Sequence, residues 1–272
     1  MICDAHNDIL CKTRDVGELK NYFKVAKENN VKKVLCAYYS KNNDKNVTIN
    51  DIKYCFNLIQ SITDIAIPTI ENSWFLTPKN IDSFIALKPF CCTLTHSCAN
   101  LLCGDALEDN GFTNWGKEVV KILEENNILI DTAHMGKKSF FEFSKFTTKP
   151  IFNSHCAFDF VYNHPRNLSD NQIKLIQESG GYIGLAFYPK FFNKPIDSEI
   201  ICNTILKFYE KFDCKILGLG TDFNGIDDYP NDIKDYKDMP KLANLLKENG
   251  VENSVIDGFL YKNLLNKVES YN

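Results

Sequence analysis

The 272-residue chain carries 31 Lys and Arg against 35 Asp and Glu, for a net charge of −4, and it is 44% hydrophobic. That composition builds a sizeable core, and the scattered basic residues exclude a nucleic-acid surface as the main feature. No apolar run approaches the ~20 residues that span a bilayer, so no membrane partner is expected.

In chain order, residues 2–5 read as a short buried strand leading into Asp4-Ala5-His6-Asn7-Asp8. Residues two apart on a strand share a face, so His6 and Asp8 form a nitrogen-plus-oxygen pair aimed one way. Further apolar runs at 33–39, 65–70, 90–95, 128–132, 150–154, 182–187 and 216–220 read as strands. Helical patterns cover 18–29, 50–62, 115–126, 168–180, 198–211 and 241–249. In 115–126, Val119, Val120, Ile122 and Leu123 share the apolar face, and 168–180 opens on Ser169 as N-cap and closes on Gly180-Gly181.

Strand-helix alternation on this scale implies parallel βαβ units. Eight strands predict an α/β fold, a closed (βα)8 TIM barrel, as a single domain over residues 1–272. No G-x-G-x-x-G follows the first strand, which argues against a dinucleotide site. The C-terminal strand ends of such a barrel converge on one mouth, which would gather His6, Glu71, His96, His134, His155 and Asp222. A lone histidine there is more often a hydrogen-bonded core residue, and a lone aspartate a capping one. Repetition at successive strand ends is what points to a divalent transition metal and to hydrolysis. Glu71 has two carboxylate oxygens and so can bridge two cations.

The eleven cysteines are an odd number without a C-x-x-C pair, which fits buried thiols in a reducing compartment. Met1-Ile2-Cys3-Asp4 leaves no room for a signal peptide before the first motif. A cytoplasmic location is the expectation.

Five segments together carry a family resemblance. They are Asp4-Ala5-His6-Asn7-Asp8, Thr93-Leu94-Thr95-His96-Ser97-Cys98, Ile130-Asp131-Thr132-Ala133-His134, His164-Pro165-Arg166-Asn167-Leu168 and Gly220-Thr221-Asp222-Phe223. Together with Gly111–Val120, they resemble the membrane (renal) dipeptidase family, zinc dipeptidases among the amidohydrolase-like metallo-dependent hydrolase barrels. The likeness runs in order from Met1 to near Asn263 and is that of a bacterial-type, cytoplasmic member.

The resemblance implies two Zn2+ ions, with Co2+ or Mn2+ as substitutes. His6, Asp8 and Glu71 would hold one ion, and Glu71, His134 and His155 the other, with Glu71 bridging. It implies that His96 contacts the substrate carbonyl and that Arg166 and Tyr188 receive a dipeptide's C-terminal carboxylate. Asp222 would act as proton shuttle and face the free amine, and His164 would position Arg166. The implied reaction is dipeptide hydrolysis by a metal-bridging hydroxide, C-terminal D-residues included, in a protein that forms homodimers. Asn224 stands where many relatives carry Asp, and Asn72-Ser73 replaces their Gly-Gly. The competing readings are an amidohydrolase of N-acyl amino acids or other small amides, and a catalytically silent metal-binding barrel.

Overall fold

Short apolar strands separated by helices leave both faces of each strand to be covered, and parallel pairing beneath an outer helical layer covers them. The computed structural model describes residues 1–44 and 46–271. Its eight strands are β1 (Ile2–Asn7), β2 (Val31–Tyr39), β3 (Ala66–Glu71), β4 (Cys91–Thr93), β5 (Leu129–Asp131), β6 (Phe152–Cys156), β7 (Tyr182–Leu185) and β8 (Leu217–Leu219). Each pairs in parallel with the next, and Asp4 of β1 pairs with Leu219 of β8 to close the barrel in sequence order.

All eight expected strands form, with shifted ends. His6 and His155 lie within β1 and β6, not at their ends, while His96 and His134 lie past the last residues of β4 and β5. At β5 the departure has a local cause. The Asp131 carboxylate accepts from Ala133 N at 3.0 Å and takes the backbone off the ladder.

The helix Asn114–Glu125 starts where Thr113 accepts from Gly116 N at 2.9 Å. It buries Val119, Val120 and Leu123, whereas Ile122 is only half-buried at the edge of that face. At ~1.5–3 kcal/mol per buried apolar side chain, those three contribute about 5–9 kcal/mol before chain entropy is counted. The helix Asp170–Glu178 is opened by Ser169, whose backbone N–H donates to Gln172 Oε1 at 3.1 Å in a capping box.

Short helices at Ile9–Lys12, Ile81–Ile85 and Lys137–Phe143 carry too few turns to show a sequence period. The C-terminal segment, Asn253–Asp257 through a π turn to Asn263–Tyr271, packs across β1 and β8. Among the described residues no helix is long and apolar enough to cross a membrane.

Glycines set how tightly the strands behind the site approach. A Cβ at either Gly184 or Gly220 would fall 1.8 Å from the carbonyl oxygen of Ser154. β6 is thereby drawn against β7 and β8, next to His155 and Asp222. Gly220→Ala should therefore cost at least the ~1–3 kcal/mol of an overpacked core. A urea midpoint equal to that of the parent chain would contradict this.

Candidate active site

The site is built around one atom. Glu71 ends β3, and its side chain is buried; around Oε1 stand His134 Nε2 at 2.9 Å, His6 Nε2 at 3.7 Å, His155 Nε2 at 3.7 Å and His96 Nε2 at 3.9 Å. Asp8 Oδ2 lies 3.2 Å and Asp222 Oδ1 3.9 Å from His6 Nε2. The strand ends thus bring together the six residues placed at the mouth by sequence, and Asp8 with them.

Partners on the far side of the rings orient the imidazoles. His155 Nδ1 meets Ser154 Oγ at 2.8 Å, and His96 Nδ1 meets Ser97 Oγ at 2.5 Å. His134 Nδ1 has the His96 carbonyl oxygen at 3.1 Å and Arg166 Nη1 at 2.6 Å. The two contacts ask opposite things of Nδ1, since the guanidinium donates to it and the carbonyl oxygen accepts from it. The Nε2 atoms of His134 and His155 sit 3.1 Å apart.

Burial governs the charges. It holds His134 and His155 well below the usual histidine range, with Arg166 and His6 adding to the effect. It also lowers His96 to about 4, again with the Arg166 charge contributing. Burial, joined by the Asp8 charge, lifts Glu71 to about 8 against the pull of His6. Asp222 is raised by burial to about 7, with His6 opposing and Asp8 adding. At His6 burial opposes the charged form, yet Asp8 and Glu71 outweigh it and raise the ring to about 10.

Two asparagines stand at departures from the family pattern, and both use left-handed backbone. Asn72 has φ 73° and donates to Ser40 O at 2.7 Å; Asn224 has φ 71° and donates to Asn7 Oδ1 at 3.0 Å. Asparagine tolerates that region better than other side-chain-bearing residues, so Asn72 takes a conformation that glycine would also supply. Gly225 is a position the sequence did not reveal. A Cβ there would lie 2.2 Å from Asp8 Oδ2 and 2.7 Å from Asp222 Oδ1.

The cluster opens into a cavity of about 520 Å3, lined also by Arg166, Tyr188, Phe191, Tyr39, Cys11 and Lys12. Arg166 Nη2 donates to His155 Nε2 at 3.0 Å, and its guanidinium lies over the Phe191 ring. His164 Nδ1 accepts from the backbone N–H of Arg166 at 3.1 Å. Tyr188 lines the wall, but its hydroxyl donates to Asp227 at 3.1 Å. Phe191, Tyr39 and Lys12 carry no spacing signal, because three separate elements bring them to the cavity: the 3-10 turn Pro189–Phe192, the end of β2 and the short helix Ile9–Lys12.

The donor chemistry fits a divalent transition cation. His6 Nε2 is buried and makes no hydrogen bond. Three triads have ligating atoms within 4.8 Å of one another: His6, Glu71 and His155; Glu71, His96 and His134; and His6, Asp8 and Asp222. Imidazole and carboxylate donors without thiolate suit zinc, cobalt or manganese over calcium or magnesium. His96 falls within one triad, although the resemblance gave it a substrate role.

The sequence profile of the membrane dipeptidase family (peptidase family M19) matches residues 30–271, so β1 with its His6–Asp8 pair precedes the matched stretch. An uncharacterized dipeptidase of Schizosaccharomyces pombe is 25% identical over 261 residues, covering 92% of this chain and 63% of that protein. The chain spans less than two thirds of the length of the curated relatives it matches first, at 59% and 63%. An amidohydrolase from Pseudomonas aeruginosa superposes with a TM-score of 0.87 at 18% identity, over 100% of this chain and 96% of that one. A metallopeptidase from Rhodobacter sphaeroides, solved with a phosphinate mimic of the dipeptide L-Ala-D-Ala, superposes at 0.84 with 16% identity, over 98% of each chain. On the extent of the profile match, the chain belongs to the membrane dipeptidase family.

Proposed function

We propose that this protein is a metal-dependent dipeptidase, with two zinc ions sharing Glu71 as a common ligand. The observation that carries this reading is the convergence of four imidazole Nε2 atoms within 3.9 Å of one buried carboxylate oxygen. His6, Asp8 and Glu71 would hold one ion, and Glu71, His134 and His155 the other. Cations bound among such donors lower the pKa of water and polarise a carbonyl.

The remaining chemistry belongs to the chain's own side chains. A Ser97 hydroxyl donating to His96 Nδ1 leaves the ring N–H on Nε2, where it can donate a hydrogen bond to a substrate carbonyl oxygen as charge develops. Its low pKa keeps that ring neutral throughout. Asp222, raised to about 7, sits near the pH at which a carboxylate both takes and releases a proton efficiently. It would accept the proton of the attacking water and pass it to the leaving amine.

Arg166 supplies a planar fork suited to a terminal carboxylate. To ligate a cation, His155 Nε2 must give up its hydrogen bond from Arg166, which frees that fork for substrate. Tyr188 joins the carboxylate only by exchanging Asp227 for it, so Arg166 is the principal anchor. With Asp222 facing the amine and Arg166 the acid, the site measures the length of a dipeptide. The dipeptide mimic bound by the Rhodobacter sphaeroides metallopeptidase supports including substrates with a C-terminal D-residue.

Two outcomes are expected. Cation binding requires Glu71 ionised, so lowering pH through about 8 should weaken zinc affinity and increase the protons released on binding. Calorimetry in buffers of different ionisation enthalpy reads both, and affinity constant across that window would contradict the arrangement. On a panel of L,L and L,D dipeptides, Arg166→Ala or amidation of the substrate C-terminus should each lower kcat/KM roughly 100-fold, about 3 kcal/mol for two charge-assisted hydrogen bonds. Equal cleavage of amidated substrates would remove Arg166 from that role, and no cleavage by the zinc-loaded protein would overturn the function.

A further inference from the structure

Two buried carboxylates outside the donor set lie on strands of the barrel beside the site. Asp131 ends β5 and is 2% exposed; its Oδ1 accepts from Ala133 N at 3.0 Å and from Ser154 N of β6 at 2.9 Å. Asp4 lies in β1 and is fully buried; its Oδ1 accepts from Thr221 N at 2.9 Å, beyond the end of β8. Asp4 Oδ2 accepts from Thr221 Oγ1 at 2.6 Å and Tyr236 OH at 2.8 Å. Each carboxylate thus clamps a backbone N–H just past a strand end.

The residue after each clamped N–H is a member of the site in left-handed backbone. His134 follows Ala133 with φ 68°, and Asp222 follows Thr221 with φ 63°. Among the described residues the other non-glycine positive-φ positions are asparagines, apart from Lys88. For a residue other than glycine this conformation is uncommon, and it persists only where the surroundings over-determine it. The clamps hold the residue before each of these two, while the backbone of His134 accepts from Ala106 N at 2.9 Å and that of Asp222 donates to His6 O at 3.3 Å.

We propose that Asp131 and Asp4 are positioning residues. They hold His134 and Asp222 in the left-handed backbone that turns their side chains toward Glu71. The inference rests on the reading of that cluster as a cation centre only for what the positioning serves. At Asp131 one oxygen takes both N–H donors, so the role there needs an acceptor and not a charge. Asparagine at 131 keeps the acceptor, and alanine removes it.

The test begins with metal-free protein. Cα and Cβ chemical shifts of His134 and Asp222 report their backbone region whether or not a cation binds. Asp131→Ala should move the His134 shifts, and Asp4→Ala the Asp222 shifts, away from left-handed values, while Asp131→Asn leaves His134 as in the parent chain. Zinc titrations should then show the weaker ion lost 10–100-fold in Asp131→Ala and retained within about threefold in Asp131→Asn. Left-handed shifts retained in both alanine variants would overturn the proposal. So would displacement of His134 in Asp131→Asn. If Asp131→Ala does not fold, the carboxylate serves the whole barrel and the positioning role is likewise overturned. A parent chain that takes up no zinc would instead refute the cation centre and leave the shift experiment decisive for the clamps.

Discussion

Everything at the mouth of this barrel depends on holding one buried carboxylate oxygen, Glu71 Oε1, among four imidazole nitrogens. Burial makes that arrangement expensive. It pushes Glu71 and Asp222 toward protonation and His134 and His155 toward neutrality. Three carboxylates crowd His6 and favour a positive charge there against burial. Such a set of buried polar groups is costly to the fold unless a ligand satisfies it. Two divalent cations would supply the missing positive charge and the partner that His6 Nε2 lacks.

The scaffold meets this demand with features that look unrelated along the chain. Gly184 and Gly220 admit the Ser154 carbonyl, drawing three strands together behind His155 and Asp222. Gly225 leaves room for Asp8 and Asp222 side by side. Asp4 and Asp131 tie neighbouring strand ends at the points where the chain turns into the site. The chemistry is thus carried by residues at strand ends, and their geometry by residues one shell behind them.

The barrel was legible because buried parallel strands read as short apolar runs and their helices as amphipathic ones. The donors were legible because His6 and Asp8 are two apart on one strand and because histidines recur after later strands. What stayed hidden depends on contacts between distant segments. A histidine gives no sign that its backbone is left-handed, and nothing in 131–134 shows that Asp131 turns back on Ala133. Gly225 reads as an ordinary turn glycine until Asp8 is placed beside it. The hydrogen bond from Tyr188 to Asp227, and the Phe191 ring under Arg166, come from segments whose paths periodicity does not describe.

The most direct measurement is a crystal structure of the zinc-loaded protein with anomalous data collected on either side of the zinc edge. Two peaks are predicted, each within coordination distance of a Glu71 carboxylate oxygen, one beside His6 and Asp8 and the other beside His134 and His155. A single peak, or two ions that do not share Glu71, would contradict the central claim.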